Sequence, residues 1–238
     1  MIDELKADLR KFASPEKAKI LARFFKTGPG QYGERDRFIG VTVPQSRAVA
    51  KVYKDLPFEE ITNLLHSSIH EERLVALLIL VEQFQSASRR DDEKNREKIY
   101  RFYLDNTAYI NNWDLVDLSA ERIIGPYLAD KPKNILKKLA RSESIWERRI
   151  SILSTFHFIK QGEPKYTLEI AEILLSDKHD LIHKAVGWML REVGKNGGER
   201  TLTRFLDKHA ATMPRTALRY AIEKFPEGKR QKYLTMAS

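Results

Sequence analysis

Apolar residues recur at helical spacing along nearly the whole chain. Residues 73–84 are almost continuously apolar and residues 150–159 are similar, so both segments are predicted to be buried helices. Narrower apolar stripes predict outer helices over residues 99–104, 135–139, 168–175 and 202–206. The glycines and prolines that separate such segments are Pro57, Pro132, Gly162, Pro164, Gly197, Gly198, Pro214 and Pro226. The pattern predicts an all-α protein of antiparallel helix pairs.

A basic residue precedes an apolar run at four comparable places. Arg149 and Lys184 are 35 residues apart, Lys184 and Arg215 are 31 apart, and Arg73 lies 76 residues before Arg149, which is roughly two repeats. Helix-pair repeats of about this length stack into solenoids, whose equivalent positions line one surface. We therefore expect a curved solenoid of HEAT-like helix pairs, one domain over residues 1–238, with a concave basic groove. Each basic residue alone is more typical of a solvated helix face, and it is their recurrence in register that indicates a binding surface.

Charge and composition narrow the classes of partner. The formal net charge is +9, which favours a polyanion such as nucleic acid or a membrane surface. The absence of cysteine excludes a disulfide framework and a thiolate metal site. The chain has neither an apolar run of membrane-spanning length nor the apolar core of a signal peptide, so we expect a cytoplasmic protein.

A glycine-rich loop interrupts the helical pattern at residues 26–41. Gly28, Gly30 and Gly33 stand beside basic residues, and their backbone N–H groups could face a phosphate. The Gly-Lys-Ser/Thr ending of a P-loop is absent. A plain connection between two helices is the other interpretation of this loop.

The segment of residues 111–117 is the most informative one. Asn111 or Asn112 can cap a helix whose first turn carries Asp114. Trp113 and Asp117 are four residues apart and therefore share a helix face. An aromatic ring beside a carboxylate suits a sugar that becomes cationic during a reaction. The alternative is a capped helix with a core tryptophan and solvated aspartates.

Two further segments carry candidate binding residues. Gly187 inside a predicted helix indicates either close packing or room for a ligand. Trp188 and Arg191, three residues apart, share a face of that helix. The basic pair Arg148 and Arg149 begins another helix, where an arginine can reach a phosphate or pair with a nearby glutamate.

Residues 113–117, 145–149 and 184–192 together resemble the AlkD-type DNA alkylation-repair family of HEAT-like glycosylases in order and spacing. The resemblance extends from residue 14 to residue 217. It implies a monomeric DNA glycosylase that hydrolyses the N-glycosidic bond of N3- or N7-alkylated purines in duplex DNA and needs no metal, nucleotide or redox cofactor. It also implies an open groove without a deep base pocket.

The resemblance also implies roles for individual residues. Asp117 matches the family's catalytic carboxylate, and Trp113 and Trp188 match the aromatics that hold the lesion-bearing sugar. The expected DNA-binding residues are Phe24, Arg148, Arg149, Lys184 and Arg191. The chain departs from the best-characterised type of member in two places: that type has tyrosine at the position of Phe24, and its loop is shorter than residues 27–40 here.

Two other functions remain open on the sequence. The same fold could bind DNA structures without releasing a base, which only an activity assay would reveal. A HEAT-like solenoid could also be a protein-binding scaffold. A scaffold has no need of this net charge, and salt-sensitive binding to duplex DNA would separate the two cases.

Overall fold

The computed structural model describes residues 1–196 and 198–236, and within these ranges the chain is helical. In the described residues, one isolated β-bridge pairs Arg37 with Ile69. The predicted all-α class is confirmed, although Gly197 of the predicted break lies outside the described residues. No helix in the described ranges is both long and apolar enough to cross a membrane. The chain divides into two compact units, an N-terminal unit of residues 1–119 and a C-terminal unit that begins at Ala120. The single domain over residues 1–238 stays a prediction.

The N-terminal unit is built around one long buried helix. Its helices are α1 (Ile2–Arg10), α2 (Pro15–Phe24), α3 (Val43–Val52), α4 (Phe58–Leu65), α5 (His70–Arg89), α6 (Glu93–Asp105) and α7 (Trp113–Asp117), with a 3-10 turn at Thr107–Tyr109. Helix α5 packs against α3, α4 and α6. Every residue from 70 to 81 is buried, because this stretch of α5 is enclosed on all sides rather than along one stripe. The buried helix predicted over residues 73–84 is confirmed.

Helix α2 and the loop after it are held differently. The Ser14 hydroxyl accepts a hydrogen bond from the Lys17 N–H and begins α2, yet none of the ten residues of α2 is buried. The glycine-rich segment is a loop between α2 and α3, as predicted. Its end is fixed to α5, because the buried Glu71 carboxylate accepts backbone N–H bonds from residues 39–41 at 2.8–3.2 Å. Gly40 has φ +83°, and a Cβ there would collide with the Ser14 carbonyl oxygen.

The C-terminal unit consists of shorter helices around α13. Its helices are α8 (Ala120–Tyr127), α9 (Asn134–Leu139), α10 (Ile145–Ser154), α11 (Phe156–Lys160), α12 (Lys165–Leu174), α13 (Asp180–Asn196), α14 (Glu199–His209), α15 (Arg215–Ala221) and α16 (Glu227–Met236). Helix α13 packs against α10, α12, α14 and α15. The buried segment predicted over residues 150–159 is divided between α10 and α11 at Thr155. At Gly187 a Cβ would collide with the Ala217 carbonyl oxygen, so this glycine allows the close approach of α13 and α15.

Candidate functional site

The short helix α7 carries Trp113 and Asp117, the two central candidate residues. Its N-cap is Asn112, which is fully buried and whose side-chain oxygen accepts the Trp113 N–H at 2.8 Å. The predicted cap is therefore confirmed for Asn112. The helix is only five residues long and ends at Asp117. Because a helix this short has little stability of its own, its position depends on contacts with the rest of the N-terminal unit.

Trp113 and Asp117 both line a pocket of about 440 Å³, here called the Trp113 pocket. Its walls come from α2, the following loop, α3, α5 and α7, all within the N-terminal unit. Three phenylalanines, Phe24, Phe25 and Phe38, join Trp113 in an aromatic lining. The spacing argument for a shared face is borne out, since both side chains face one cavity. The resemblance implied an open groove without a deep base pocket, and that expectation stays a prediction.

The Trp113 ring is held in a series of aromatic contacts. Phe25 stacks on Trp113 with ring centroids 5.0 Å apart and planes 14° apart, and Phe24 meets Trp113 edge-on at 5.8 Å. Phe25 also stacks on Phe38 at 5.0 Å, and Phe38 stacks on His70 at 4.5 Å. These contacts restrict the orientation of Trp113, whose side chain is half-buried rather than enclosed in the core.

A buried network of charged groups adjoins this aromatic series, and two of its members, His70 and Asp114, also line the Trp113 pocket. His70 donates from Nε2 to Asp114 Oδ2 at 2.8 Å and from Nδ1 to Asp36 Oδ2 at 3.1 Å. Arg73 donates to Asp36 Oδ1 at 2.5 Å, and the Asn112 amide donates to Asp36 Oδ2 at 2.8 Å. Asp36 therefore binds the N-cap of α7, and His70 binds its first turn. The network ties the beginning of α7 to α5.

The electrostatics of this network favour a charged imidazole. Burial opposes a charge on His70, but the Asp114 and Asp36 carboxylates outweigh it and raise the His70 pKa to about 9. Burial also opposes the charge of Asp36, and hydrogen bonding to His70 with the nearby Arg73 guanidinium lowers the Asp36 pKa below its ordinary value. At neutral pH the network therefore contains two cations and two carboxylates.

Asp117 lies at the other end of α7 and has a different environment from Asp114. Its side chain is half-buried, whereas Asp114 is 6% exposed. Burial chiefly, and the Asp117 charge in addition, raise the pKa of the Tyr103 hydroxyl, which lies 2.9 Å from the Ser119 hydroxyl. Asp114 was predicted to favour the helix start by its charge, and the structure adds a buried ion pair with His70 to that role.

In the C-terminal unit, α13 carries three predicted site residues. Trp188 is half-buried and meets Phe156 edge-on at 6.1 Å. Arg191 forms an ion pair with Glu223 on α15. Lys184 forms an ion pair at 2.7 Å with the aspartate four residues earlier. Their roles at a DNA backbone stay predictions.

The basic pair on α10 is engaged within its own unit. Arg148 donates from Nε to Asp177 at 2.6 Å, so its carboxylate partner is this aspartate rather than a nearby glutamate. Arg149 is 5% exposed and donates to the Leu181 carbonyl oxygen at 2.6 Å. Both arginines pack α10 against the beginning of α13. The DNA contacts predicted for them are untested, and each would require a guanidinium to be shared with these internal acceptors.

Sequence reasoning missed His70, Asp36, Phe25 and Phe38. It also interpreted Arg73 as a surface residue, whereas Arg73 is 4% exposed. One available signal was the run of four titratable residues, 70–73, directly before a long apolar stretch. Titratable groups at the start of a buried helix need partners, which predicts a network without identifying its other members.

With this geometry established, comparison with known proteins decides the family. The sequence profile described as "DNA alkylation repair enzyme" matches residues 5–225. The chain belongs to the DNA alkylation repair enzyme family. A comparison with curated proteins finds no significant match. The solved structure of a predicted DNA alkylation repair enzyme from Enterococcus faecalis is similar to this chain, with a TM-score of 0.66 and 16% identity over 90% of this chain and 97% of that one.

The range matched by the family profile includes all the predicted site residues, which lie between residues 24 and 191. The likeness to the Enterococcus faecalis protein shows the fold. The resemblance stated from the three sequence segments is confirmed at the level of the family.

Proposed function

We propose that this protein is a DNA glycosylase that hydrolyses the N-glycosidic bond of N3- or N7-alkylated purines in duplex DNA. The observation that carries the proposal is the position of Asp117 and Trp113 on the wall of one aromatic pocket, at the two ends of a five-residue helix. A carboxylate beside an aromatic ring is the arrangement that the cationic sugar of this reaction requires.

Alkylation at N3 or N7 gives the purine a positive charge and makes it a good leaving group. In the reaction the bond between C1′ and the base nitrogen breaks, and both bonding electrons go to the base, which leaves neutral. The sugar becomes an oxocarbenium-like cation that the Asp117 carboxylate stabilises. A water oxygen then bonds to C1′, and the proton that this water loses passes to Asp117 and on to solvent.

The aromatic residues restrict the position of the sugar. Trp113 is oriented by stacking on Phe25 and therefore offers a preorganised surface to a sugar near Asp117. We assign Trp188 of the C-terminal unit to a sugar contact as well, from the family resemblance. Phe24 has the exposure needed for a DNA contact, with 61% of its surface accessible.

Binding to the DNA backbone is proposed to be electrostatic. The net charge of +9 favours a polyanion, and Arg148, Arg149, Lys184 and Arg191 are the residues that we assign to the backbone. Lys184 is the most accessible cation of this set, with 41% of its side chain exposed.

The deciding experiment measures base release from a duplex that contains one N7-methylguanine, under single-turnover conditions. The wild-type protein should release the base, and Asp117→Asn should slow release about a hundredfold or more with duplex affinity retained. Asp105→Asn is the matched control, because Asp105 is an exposed residue at the end of α6 in the same unit. Duplex binding without base release would favour a DNA-structure-binding module, and the absence of salt-sensitive duplex binding would favour a protein-binding scaffold.

A further inference from the structure

Exposed cations stand next in the chain to the phenylalanines that line the Trp113 pocket. Arg23, Lys26 and Arg37 are each exposed, and each is adjacent to one of these three phenylalanines. Arg35 is a fourth exposed cation on the same loop. Within the part of the chain that the structure describes, none of the four side chains forms an ion pair or a hydrogen bond. These four residues, here called the basic border, therefore carry positive charge that no carboxylate neutralises.

The backbone of the basic border is held in place at the two arginines. Asp36 lies between Arg35 and Arg37, and its side chain is only 5% exposed because it belongs to the buried charged network. The Arg37 N–H donates to the Ser68 carbonyl oxygen at 3.1 Å, and the Arg37 carbonyl oxygen accepts the His70 N–H at 2.8 Å. The loop therefore presents two exposed arginines from a fixed position, which reduces the entropy lost when they bind an anion.

Two members of the basic border stand where the backbone favours glycine. Lys26 has φ +52° and Arg35 has φ +77°. Residues other than glycine rarely adopt this left-handed conformation, because their Cβ crowds the carbonyl oxygen that follows. Backbone strain of this kind is concentrated at functional sites such as ligand clamps. Long cationic side chains at both strained positions thus point to a function for the side chains.

The backbone N–H groups of the loop glycines already have partners. The Gly28 N–H donates to Gln31 Oε1 at 3.1 Å. The Gly30 N–H donates to the exposed Glu34 carboxylate at 3.0 Å. The Gly33 N–H donates to a backbone carbonyl oxygen of the loop at 3.2 Å. An anion at this loop would therefore be bound by the cationic side chains rather than by the glycine backbone.

We propose that the basic border binds phosphates of duplex DNA beside the Trp113 pocket. The inference rests on the duplex binding of the proposed function and extends it to the N-terminal unit. The cations assigned to the DNA backbone above, Arg148, Arg149, Lys184 and Arg191, all have partners within their own unit. The basic border can bind a phosphate through charge-assisted hydrogen bonds without losing any such internal contact.

The salt dependence of duplex binding by the full-length protein tests the proposal. An unmodified duplex serves as the probe, and fluorescence anisotropy gives its affinity over a range of salt concentrations. Each neutralised phosphate contributes about 0.9 to the slope of log affinity against log salt. Arg37→Gln should therefore reduce the slope by about 0.9, and Arg35→Gln with Arg37→Gln should reduce it by about 1.8. Each tenfold dilution of salt should widen the deficit by about eightfold per arginine.

Arg89→Gln is the matched control. Arg89 is another exposed arginine with no ion pair in the described ranges, and it ends α5. The pocket is lined by the first turns of this helix, about 28 Å from Arg89 along its axis. Arg89→Gln removes the same charge as Arg37→Gln and should leave the slope unchanged.

Glycine variants separate binding from a structural role. Arg35→Gly and Lys26→Gly relieve the left-handed strain, so the free energy of unfolding in urea should be unchanged or higher. Duplex binding should nevertheless weaken as it does in the glutamine variants. Lower stability together with unchanged duplex affinity would show that these side chains are structural and would overturn their part in the proposal.

The remaining outcomes are equally distinct. A slope in Arg37→Gln equal to that of the wild type, or reduced no more than in Arg89→Gln, would overturn the phosphate contact. Weaker binding to vesicles of phosphatidylserine and phosphatidylcholine, with duplex affinity unchanged, would assign the border to a membrane surface and would also overturn it. Duplex affinity that depends on the border in a protein that releases no base would support the border and overturn the glycosylase. Base release with affinity that is independent of the border would do the reverse.

Discussion

Replacing His70 with glutamine should loosen the helix that carries Trp113 and Asp117. His70 reaches α7 by two routes: its Nε2 donates to Asp114 in the first turn, and its ring stacks on Phe38, which stacks on Phe25 and so on Trp113. A glutamine amide can donate to one of the two carboxylates but supplies neither the charge nor the ring. We therefore expect His70→Gln to reduce both stability and base release.

The pKa of His70 sets the size of the stability effect. A rise from 6.5 to about 9 means that the folded protein binds the proton more tightly than the unfolded chain does. At roughly 1.4 kcal/mol for each tenfold change, this difference corresponds to about 3 kcal/mol of folding free energy. That contribution is a large fraction of the typical stability of a domain.

The pH dependence has a definite direction. Because the folded-state pKa is raised, the contribution is fully present below about pH 6.5 and is lost as the pH rises through about 9. Urea unfolding followed by circular dichroism should show wild type exceeding His70→Gln by about 3 kcal/mol at pH 6 and by much less near pH 10. Single-turnover base release by the wild-type protein should fall over the same alkaline range more steeply than in the variant.

His66→Gln is the control, because His66 is an exposed histidine four residues earlier in the chain. It should show no such pH-dependent loss. The double variant His70→Gln with Asp114→Asn should lose less stability than the two single variants lose when added together, because either single change already breaks the ion pair. A stability difference between wild type and His70→Gln that is constant from pH 6 to pH 10 would refute the charged network.

Three further measurements test other parts of the structure. Trp113→Ala should lower the free energy of unfolding by less than the roughly 3–5 kcal/mol typical of a core tryptophan, yet slow base release at least about tenfold. Thermal melts measure the first effect and single-turnover assays the second. A large loss of stability would show that Trp113 is structural. The logarithm of duplex affinity should fall steeply and linearly with the logarithm of salt concentration, and binding that is indifferent to salt would contradict an electrostatic backbone contact. Gly187→Ala should destabilise the C-terminal unit by about 1–3 kcal/mol in urea unfolding, because the added methyl group collides with the Ala217 carbonyl, and unchanged stability would contradict that close packing.

Much of the local structure could be predicted from the sequence, because it depends on neighbouring residues. The long, almost continuous apolar run of residues 73–84 predicts a buried helix from its length and composition, and α5 includes it. Asn112 caps α7 by an interaction with the very next residue. The shared position of Trp113 and Asp117 follows from a spacing of four on one helix.

The rest of the site depends on pairs that are distant in the chain. Asp36 meets His70 across 34 residues, and His70 meets Asp114 across 44. No periodicity or local motif encodes such pairings, so Asp36 was interpreted only as part of a loop. Arg73 has the position of a surface cation in the repeat pattern, and its burial becomes apparent only when Asp36 is known to face it. The Trp113 pocket is likewise a product of several elements and has no signal of its own.

Asp114 and Asp117 illustrate how one helix can separate positioning from chemistry. Both are aspartates of α7, three residues apart, and both line the Trp113 pocket, yet Asp114 is buried in an ion pair with His70 whereas Asp117 is half-buried. A carboxylate already neutralised by a buried cation has little charge to offer a developing sugar cation. Asp117 is the more exposed of the two carboxylates, and the ion pair at Asp114 fixes the helix that carries Asp117. Under the proposed function, the His70 network would therefore support base release through geometry, by fixing the position of the helix that carries the Asp117 carboxylate.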